Sequence, residues 1–270
     1  MGIALDHKRK ILAQEAQAVA QERAMADEIA KQQNLNDANK TFNALLANLD
    51  VALKRLSKLP KGIERTNLKK NQLLPEFMPK VVEYLEGEDE FKNPVLVQCM
   101  IWNYDVGNIN DFWWLAEKCL EQHQEMPERF SSNTHTFVAD CVLEYSNKAV
   151  ANGKEFKPYF SNVFKKLNDW PVPDAVKEKY NFFYGERLKE NANELIKANK
   201  YQDALKILNH LAKNKFNVKG KIAEASKAFG EELFEAGDYE KALVYFKQAS
   251  DNGAKCKKRI AECEKFIEQK

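Results

Sequence analysis

Seven cations stand within seventeen residues of this sequence, and Glu64 is the single acid among them. Side-chain cations at this density are typical of surfaces that bind the phosphates of a polyanion. They are also typical of a solvated helix end, where they interact favourably with the helix dipole. Because the cluster continues past Pro60-Lys61-Gly62, which predicts a helix stop, we expect a polyanion contact there. Its members are Lys54, Arg55, Lys58, Lys61, Arg65, Lys69 and Lys70.

Phosphate-cradling loops are absent from the sequence. Neither Gly153-Lys154 nor Gly220-Lys221 has the upstream glycine or the following Ser or Thr of a P-loop. The four histidines, His7, His123, His135 and His210, lack the spacing that brings two imidazoles to one metal ion. We therefore expect no ATP hydrolysis, no cofactor and no metal site.

Nuclease chemistry requires clustered carboxylates that hold Mg²⁺ beside the scissile phosphate. One acidic run contains Glu86, Glu88, Asp89 and Glu90, and Asp174 follows Pro173 in a faint likeness to a restriction-type motif. The first pattern is typical of a solvated loop and the second of a helix N-cap. We expect no catalytic residue in the chain, although an active site assembled between subunits stays open.

The composition predicts helices throughout. Of 270 residues, 44% are apolar, and only 10 are Gly and 8 are Pro. Abundant Ala, Leu, Glu, Lys and Gln favour an all-α fold with one or two cores. No run reaches the roughly 18 apolar residues of a membrane span, and the first residues lack a secretory signal. We expect a soluble intracellular protein with no membrane contact, whose five cysteines are reduced.

The formal net charge of +2 hides a division along the chain. Residues 1–80 carry a net charge of +5, residues 81–147 carry −10 and residues 148–270 carry +7. Such asymmetry indicates separate surfaces for separate partners, with a polyanion favoured at the basic ends and a basic protein at the acidic middle.

The N-terminal region, residues 1–70, predicts long helices. A weakly apolar helix covers 3–34 and carries a second basic group, Lys8, Arg9 and Lys10. A sharper stripe follows at the 3,4 spacing of a coiled coil. It consists of Phe42, Leu45, Leu49, Ala52, Leu56 and Leu59. The stripe packs either in the core of its own subunit or against copies of itself, and its periodicity leaves both possibilities open.

The central region, residues 71–150, predicts helical hairpins. From residue 73 the sequence predicts a turn with two prolines, then a helix and an acidic break. Pro94 begins a helix, a turn follows Asp105, and a second helix then packs antiparallel to the first. An aromatic cluster near that turn favours hairpin core over base stacking. It contains Trp102, Phe112, Trp113 and Trp114.

The C-terminal region, residues 151–270, contains an internal repeat. Residues 199–208 superpose on 237–246, with Tyr201 matching Tyr239 and Ala204 matching Ala242. The pattern predicts tetratricopeptide-like helical repeats, and residues 253–269 form a charged capping helix. Such repeats predict the architecture of this region and do not indicate what it binds.

The sequence resembles the small terminase subunits of Peduovirus-type temperate phages. The likeness rests on residues 71–86 and 94–127, where a Leu-Leu-Pro segment precedes a Trp-x-x-Asp-x-Gly turn at Trp102, Asp105 and Gly107. It continues through 137–149 and the final repeat. The chain departs from the family pattern in an extra hairpin near 175–215 and in lacking a long basic tail.

The resemblance implies a role in viral genome packaging. Small subunits of this family bind double-stranded viral DNA at the cohesive-end site, form homo-oligomers that are often rings, and deliver the DNA to the large terminase subunit. They act in the cytoplasm of the infected host. Two alternatives remain: a metal-dependent endonuclease subunit, as the family is sometimes described, and a tetratricopeptide-type interaction adaptor.

Overall fold

The computed structural model describes residues 23–25, 27–28, 40–87 and 90–269. These residues form helices and connecting turns without a strand, which confirms the all-α prediction. The predicted coiled-coil character, the tetratricopeptide-like character and the three-region division remain predictions. The helices are α1 (40–58), α2 (Ile63–Leu68), α3 (Leu74–Glu86), α4 (Pro94–Asp105), α5 (Ile109–Glu121), α6 (Thr134–Ala151), α7 (Tyr159–Lys166), α8 (Asp174–Lys197), α9 (Tyr201–Lys213), α10 (Lys219–Glu235), α11 (Tyr239–Asp251) and α12 (Lys257–Glu268).

The chain divides into two compact units within α6. The first ends at Cys141 and the second begins at Val142. None of the described helices combines the length and apolar character that crossing a bilayer requires.

In the first unit, α1 forms an antiparallel hairpin with the helical segment that follows it. The ring of Phe42, at the start of α1, lies 4.8 Å from the ring of Phe91, which comes after the end of α3. The Phe91 ring also lies 4.7 Å from that of Tyr84 in α3. At the other end α1 stops at residue 58, and Gly62 takes a φ of 125°, which glycine adopts readily.

Helices α2 and α3 are joined by one turn of π-helix, Lys69–Leu73, so that 63–86 is one helical segment. Its buried positions explain the turn. Leu73, Phe77 and Val81 follow at intervals of four, but Leu68 precedes Leu73 by five. An interval of five fits a π turn, and the Leu74 N–H bonds the carbonyl of Lys69 five residues back.

The turn predicted from residue 73, with its two prolines, is wrong. Pro75 stands in the first turn of α3 and Pro79 lies inside the helix. Pro75 has no N–H, and it follows directly on the change from π to α hydrogen bonding, so its missing donor disrupts little there. The helix therefore continues through both prolines.

Helix α4 is the centre of the first unit, with Val95–Asn103 buried without interruption. Asn93 caps it, accepting hydrogen bonds from the N–H groups of Val95 and Leu96. The predicted hairpin of α4 and α5 is confirmed, and its turn places Gly107 at a φ of 82°. Trp102, Phe112 and Trp113 are buried, so three of the four clustered aromatic residues form hairpin core.

The second unit consists of paired helices. Helices α8 and α9 pack together, as do α10 and α11, and α9 and α11 begin at the matching residues Tyr201 and Tyr239. Gly230 in α10 lets α11 approach closely, because a Cβ at that position would lie 2.9 Å from the Phe246 ring. Helix α12 packs along α11, with the Phe266 ring 4.6 Å from the ring of Tyr239 at the start of α11, and its role as a capping helix stays a prediction.

Candidate nucleic-acid interface

The outer face of α1 carries three of the predicted DNA-binding cations. Lys54 and Lys58 lie one turn apart on one face, Arg55 stands beside them, and all three are exposed. The opposite face holds the buried Leu49, Ala52 and Leu56. The burial of that face directs the cations outward, away from the core of the unit.

Two further predicted cations continue the surface beyond α1. Lys61 is exposed in the turn before α2, and Lys70 is exposed in the π turn. Among the described residues, no carboxylate forms an ion pair with either of them or with the three cations of α1. These five side chains, Lys54, Arg55, Lys58, Lys61 and Lys70, are here called the basic surface.

Arg65 has a structural partner within the chain. Its Nε donates to the carbonyl of Leu59 at 2.8 Å, and its Nη2 donates to the carbonyl of Ser57 at 3.4 Å. These carbonyls lie where α1 ends and have no partner from the helix itself. The guanidinium therefore caps α1 and fixes the turn between α1 and α2.

Lys69 also has a partner. Its Nζ lies 2.6 Å from Oδ2 of Asp105, and the two side chains are 16% and 37% exposed. Asp105 is the acid of the Trp-x-x-Asp-x-Gly motif, at the end of α4. The ion pair thus fastens the π turn to the α4–α5 hairpin, which leaves Lys69 less available to a phosphate than the basic surface.

The motif turn itself is held by a network of amide hydrogen bonds between the exposed Asn108 and the buried Asn103. The N–H of Asn108 donates to the carbonyl of Asn103 at 2.9 Å, and Asn108 Nδ2 donates to Asn103 Oδ1 at 3.3 Å. Asn103 Nδ2 in turn donates to the carbonyl of Cys99. These bonds position Asp105 for Lys69. The sequence contains no local signal for this pairing, since the two residues are 36 positions apart.

The predicted oligomerisation stripe is partly covered within one chain. Leu49, Ala52 and Leu56 are buried, while Phe42, Leu45 and Leu59 are half-buried. The interior of the subunit therefore accounts for the centre of the stripe, and its use between copies stays a prediction. The other basic group, Lys8, Arg9 and Lys10, lies outside the described residues.

A second basic surface lies in the second unit, where a cleft of about 620 Å³ opens between α10 and the start of α12. Its lysines are exposed and form no ion pair within the described chain. They are Lys227, Lys255, Lys257 and Lys258. Arg259 differs, because it bonds Glu231 at 2.7 Å and Glu262 at 2.9 Å. No sequence motif marks this cleft, because its lysines come from two separate segments of the chain.

The residues considered for metal or nuclease chemistry are dispersed. Within the described part of the chain, no three His, Cys, Asp or Glu side chains group as metal ligands. Asp174 is exposed and is the first residue of α8, so its predicted role as N-cap is wrong; Pro173 holds that position. Of the acidic run, Glu88 and Asp89 lie outside the described residues.

His123 and His135 line one pocket of about 330 Å³ beside the start of α6. Burial lowers the pKa of His135, and the neighbouring His123 lowers it further.

All five cysteines are free thiols and buried, and burial raises the pKa of Cys119 to about 12. Thiols of this kind are poor nucleophiles at neutral pH.

Comparison with known proteins bears on the first unit and the start of the second. Residues 46–175 match the family model described as phage small terminase subunit. A protein of Haemophilus phage HP1 (strain HP1c1), named probable terminase, endonuclease subunit, is 27% identical over 165 residues. That alignment covers 61% of this chain and 59% of the relative. No solved structure matches the chain.

The matched range contains the whole basic surface, the Lys69–Asp105 pair and the motif turn. It also contains the runs at 71–86, 94–127 and 137–149 on which the resemblance rests, whereas the final repeat and capping helix lie beyond it. Residues 46–175, slightly less than half of the chain, are similar to the phage small terminase subunit family, and the chain spans 59% of the length of the Haemophilus phage HP1 relative.

Proposed function

We propose that this chain is the small subunit of a phage terminase. It binds double-stranded viral DNA at the cohesive-end site and delivers it to the large terminase subunit during genome packaging. It acts in the cytoplasm of the infected bacterium and assembles with copies of itself, in a ring by family resemblance. The family match supports the packaging role, and the basic surface supports DNA binding.

The observation that carries DNA binding is the division among the seven clustered cations. Arg65 and Lys69 bind groups of the chain itself, whereas the basic surface presents five charges without an ion-pair partner in the described residues. Exposed cations without an ion-pair partner release counterions from DNA when they contact its phosphates. The structural pairs hold the hairpin, and the remaining charges are free to bind.

Assembly strengthens such contacts. One basic surface reaches only a few phosphates, and isolated contacts of that number are weak at physiological salt. Several copies on one duplex engage it at several points, so that effective concentration raises the overall affinity. We therefore expect more than one chain per duplex in the bound complex.

Reversing the charge of Lys54, Arg55, Lys58 and Lys61 to Glu tests the proposal. We expect weaker binding to every DNA sequence, together with a slope of log K against log salt that is smaller by about 0.9 for each phosphate that the variant no longer neutralises. Fluorescence anisotropy of labelled duplex at several salt concentrations measures both quantities, and light scattering of the same samples counts the chains per duplex.

The matched control reverses Lys227, Lys255, Lys257 and Lys258, which changes the charge equally at the cleft of the second unit. We expect this control to bind DNA more tightly than the α1 variant does, and to show a larger slope of log K against log salt. An unchanged affinity in the α1 variant with a loss in the control would move the DNA to the second unit. One chain per duplex would contradict the role of assembly.

A further inference from the structure

Four exposed side chains form a continuous face along the start of the second hairpin helix. Ile63 is 72% exposed, and Asn67, Lys70 and Asn71 are exposed as well. Ile63 and Asn67 are four residues apart, and Lys70 and Asn71 follow at three and four, so all four lie on one side of the helix. We call this the amide face.

The amide face is held rigidly from behind. Arg65 fixes the first turn of α2 to the end of α1, and Lys69 fixes the π turn to Asp105 of α4. Leu68 is buried between these two anchors. Side chains on the outer side of this segment therefore project from a backbone that is anchored at two points one turn apart.

The π turn ends the amide face abruptly. In an uninterrupted α-helix, Leu74 would share a face with Lys70, four residues before it. The extra residue of the π turn rotates the helix, so that Leu73 and Leu74 are both buried. The amide face is thereby confined to the first turns of the segment, which begin two residues after the exposed Lys61.

The chemistry of this face suits the edges of bases. Asn side chains pair with adenine through two hydrogen bonds, Lys donates to guanine, and an apolar side chain contacts the methyl group of thymine. Neither the Asn67 side chain nor the Asn71 side chain has a hydrogen-bond partner among the described residues. Glu64, exposed beside them, is the one acid in 63–73, and a carboxylate accepts from cytosine.

We infer that Asn67, Lys70 and Asn71 read base edges in the major groove of a DNA duplex, with Ile63 against a thymine methyl. This inference rests on the proposed function, because the other members of the basic surface, Lys54, Arg55, Lys58 and Lys61, must bind the phosphates beside that groove. The major groove of B-DNA admits a helix, and cations next to the reading face fix its register. The π turn separates the reading face from the core.

Selection from a random duplex library with the full-length protein tests the inference. We expect the wild type to enrich one sequence, and Asn67→Ala with Asn71→Ala to lose preference at a few neighbouring base pairs of it. For this double variant, the ratio of the affinity for the selected duplex to the affinity for a scrambled duplex should fall roughly tenfold. Lys58→Ala should instead weaken binding to both duplexes in equal proportion.

Asn191→Ala, at an exposed helical position of the second unit, is the matched control and should enrich the wild-type sequence. If the double Asn variant enriches the wild-type sequence unchanged, or weakens both duplexes equally, the inference is wrong while DNA binding stands. If the wild type binds DNA without enriching a sequence, base reading is again excluded. No DNA binding by the wild type would overturn the proposed function as well.

Discussion

Lys69 and Arg65 differ from the other clustered cations in what they contact, not in their spacing. The run of charge from Lys54 to Lys70 was visible in the sequence, but its division into structural and free cations was not. The helix stop at Pro60-Lys61-Gly62 turns the chain back, so that Arg65 reaches the carbonyl of Leu59, six residues before it, and caps α1. The pairing of Lys69 with Asp105 depends on the packing of α4 against the π turn, which no local pattern specifies.

A double-mutant cycle measures what the Lys69–Asp105 pair contributes to stability. We expect Lys69→Met and Asp105→Asn to show a coupling free energy of about 1 kcal/mol, because this pair is less exposed than an ordinary surface pair. Urea unfolding followed by circular dichroism gives the value. The Lys92–Glu125 pair, whose side chains are 74% and 71% exposed, is the control and should couple by a few tenths of a kcal/mol. Equal coupling in the two pairs would remove the anchoring role of Lys69.

At the scale of elements, local sequence signals predict several of the helices but miss that α2 continues into α3. The α4–α5 hairpin and the helices beginning at Tyr201 and Tyr239 follow from proline, turn residues and repeat matching. Where α2 passes into α3 the sequence predicts a turn, because Pro75 and Pro79 ordinarily mark one. The helix continues instead, because one π turn accommodates the five-residue interval between Leu68 and Leu73 and keeps both leucines buried.

Deleting Asn71 tests that explanation. Removal of one exposed residue shortens the interval between the two leucines to four, so a regular α-helix should restore the same buried face. We expect Tm within a few degrees of the wild type, by thermal unfolding, and a loss of sequence preference. Deleting the exposed Lys80 from the regular part of α3 should instead rotate Val81 out of the core and lower Tm much further. A similar fall in both deletions would contradict the account of the π turn.

At the scale of the whole molecule, the charge division of the sequence is only partly explained. The basic N-terminal region contains the basic surface, and the basic C-terminal region contains the cleft at the start of α12. Composition predicted two polyanion candidates without ranking them. The family match favours the first, because residues 46–175 include the basic surface and exclude the cleft. How copies assemble depends on contacts between chains, and the partly buried stripe of α1 does not specify them.

Lysine acetylation of the full-length wild type, with and without bound duplex and mapped by mass spectrometry, tests the placement of DNA most directly. DNA phosphates that contact an ammonium group shield it from the reagent. We predict that DNA lowers acetylation at Lys54, Lys58, Lys61 and Lys70 and leaves the exposed Lys255, Lys257 and Lys258 as reactive as before. Protection confined to the last three residues, with the α1 lysines equally reactive in bound and free protein, would contradict DNA binding at the basic surface.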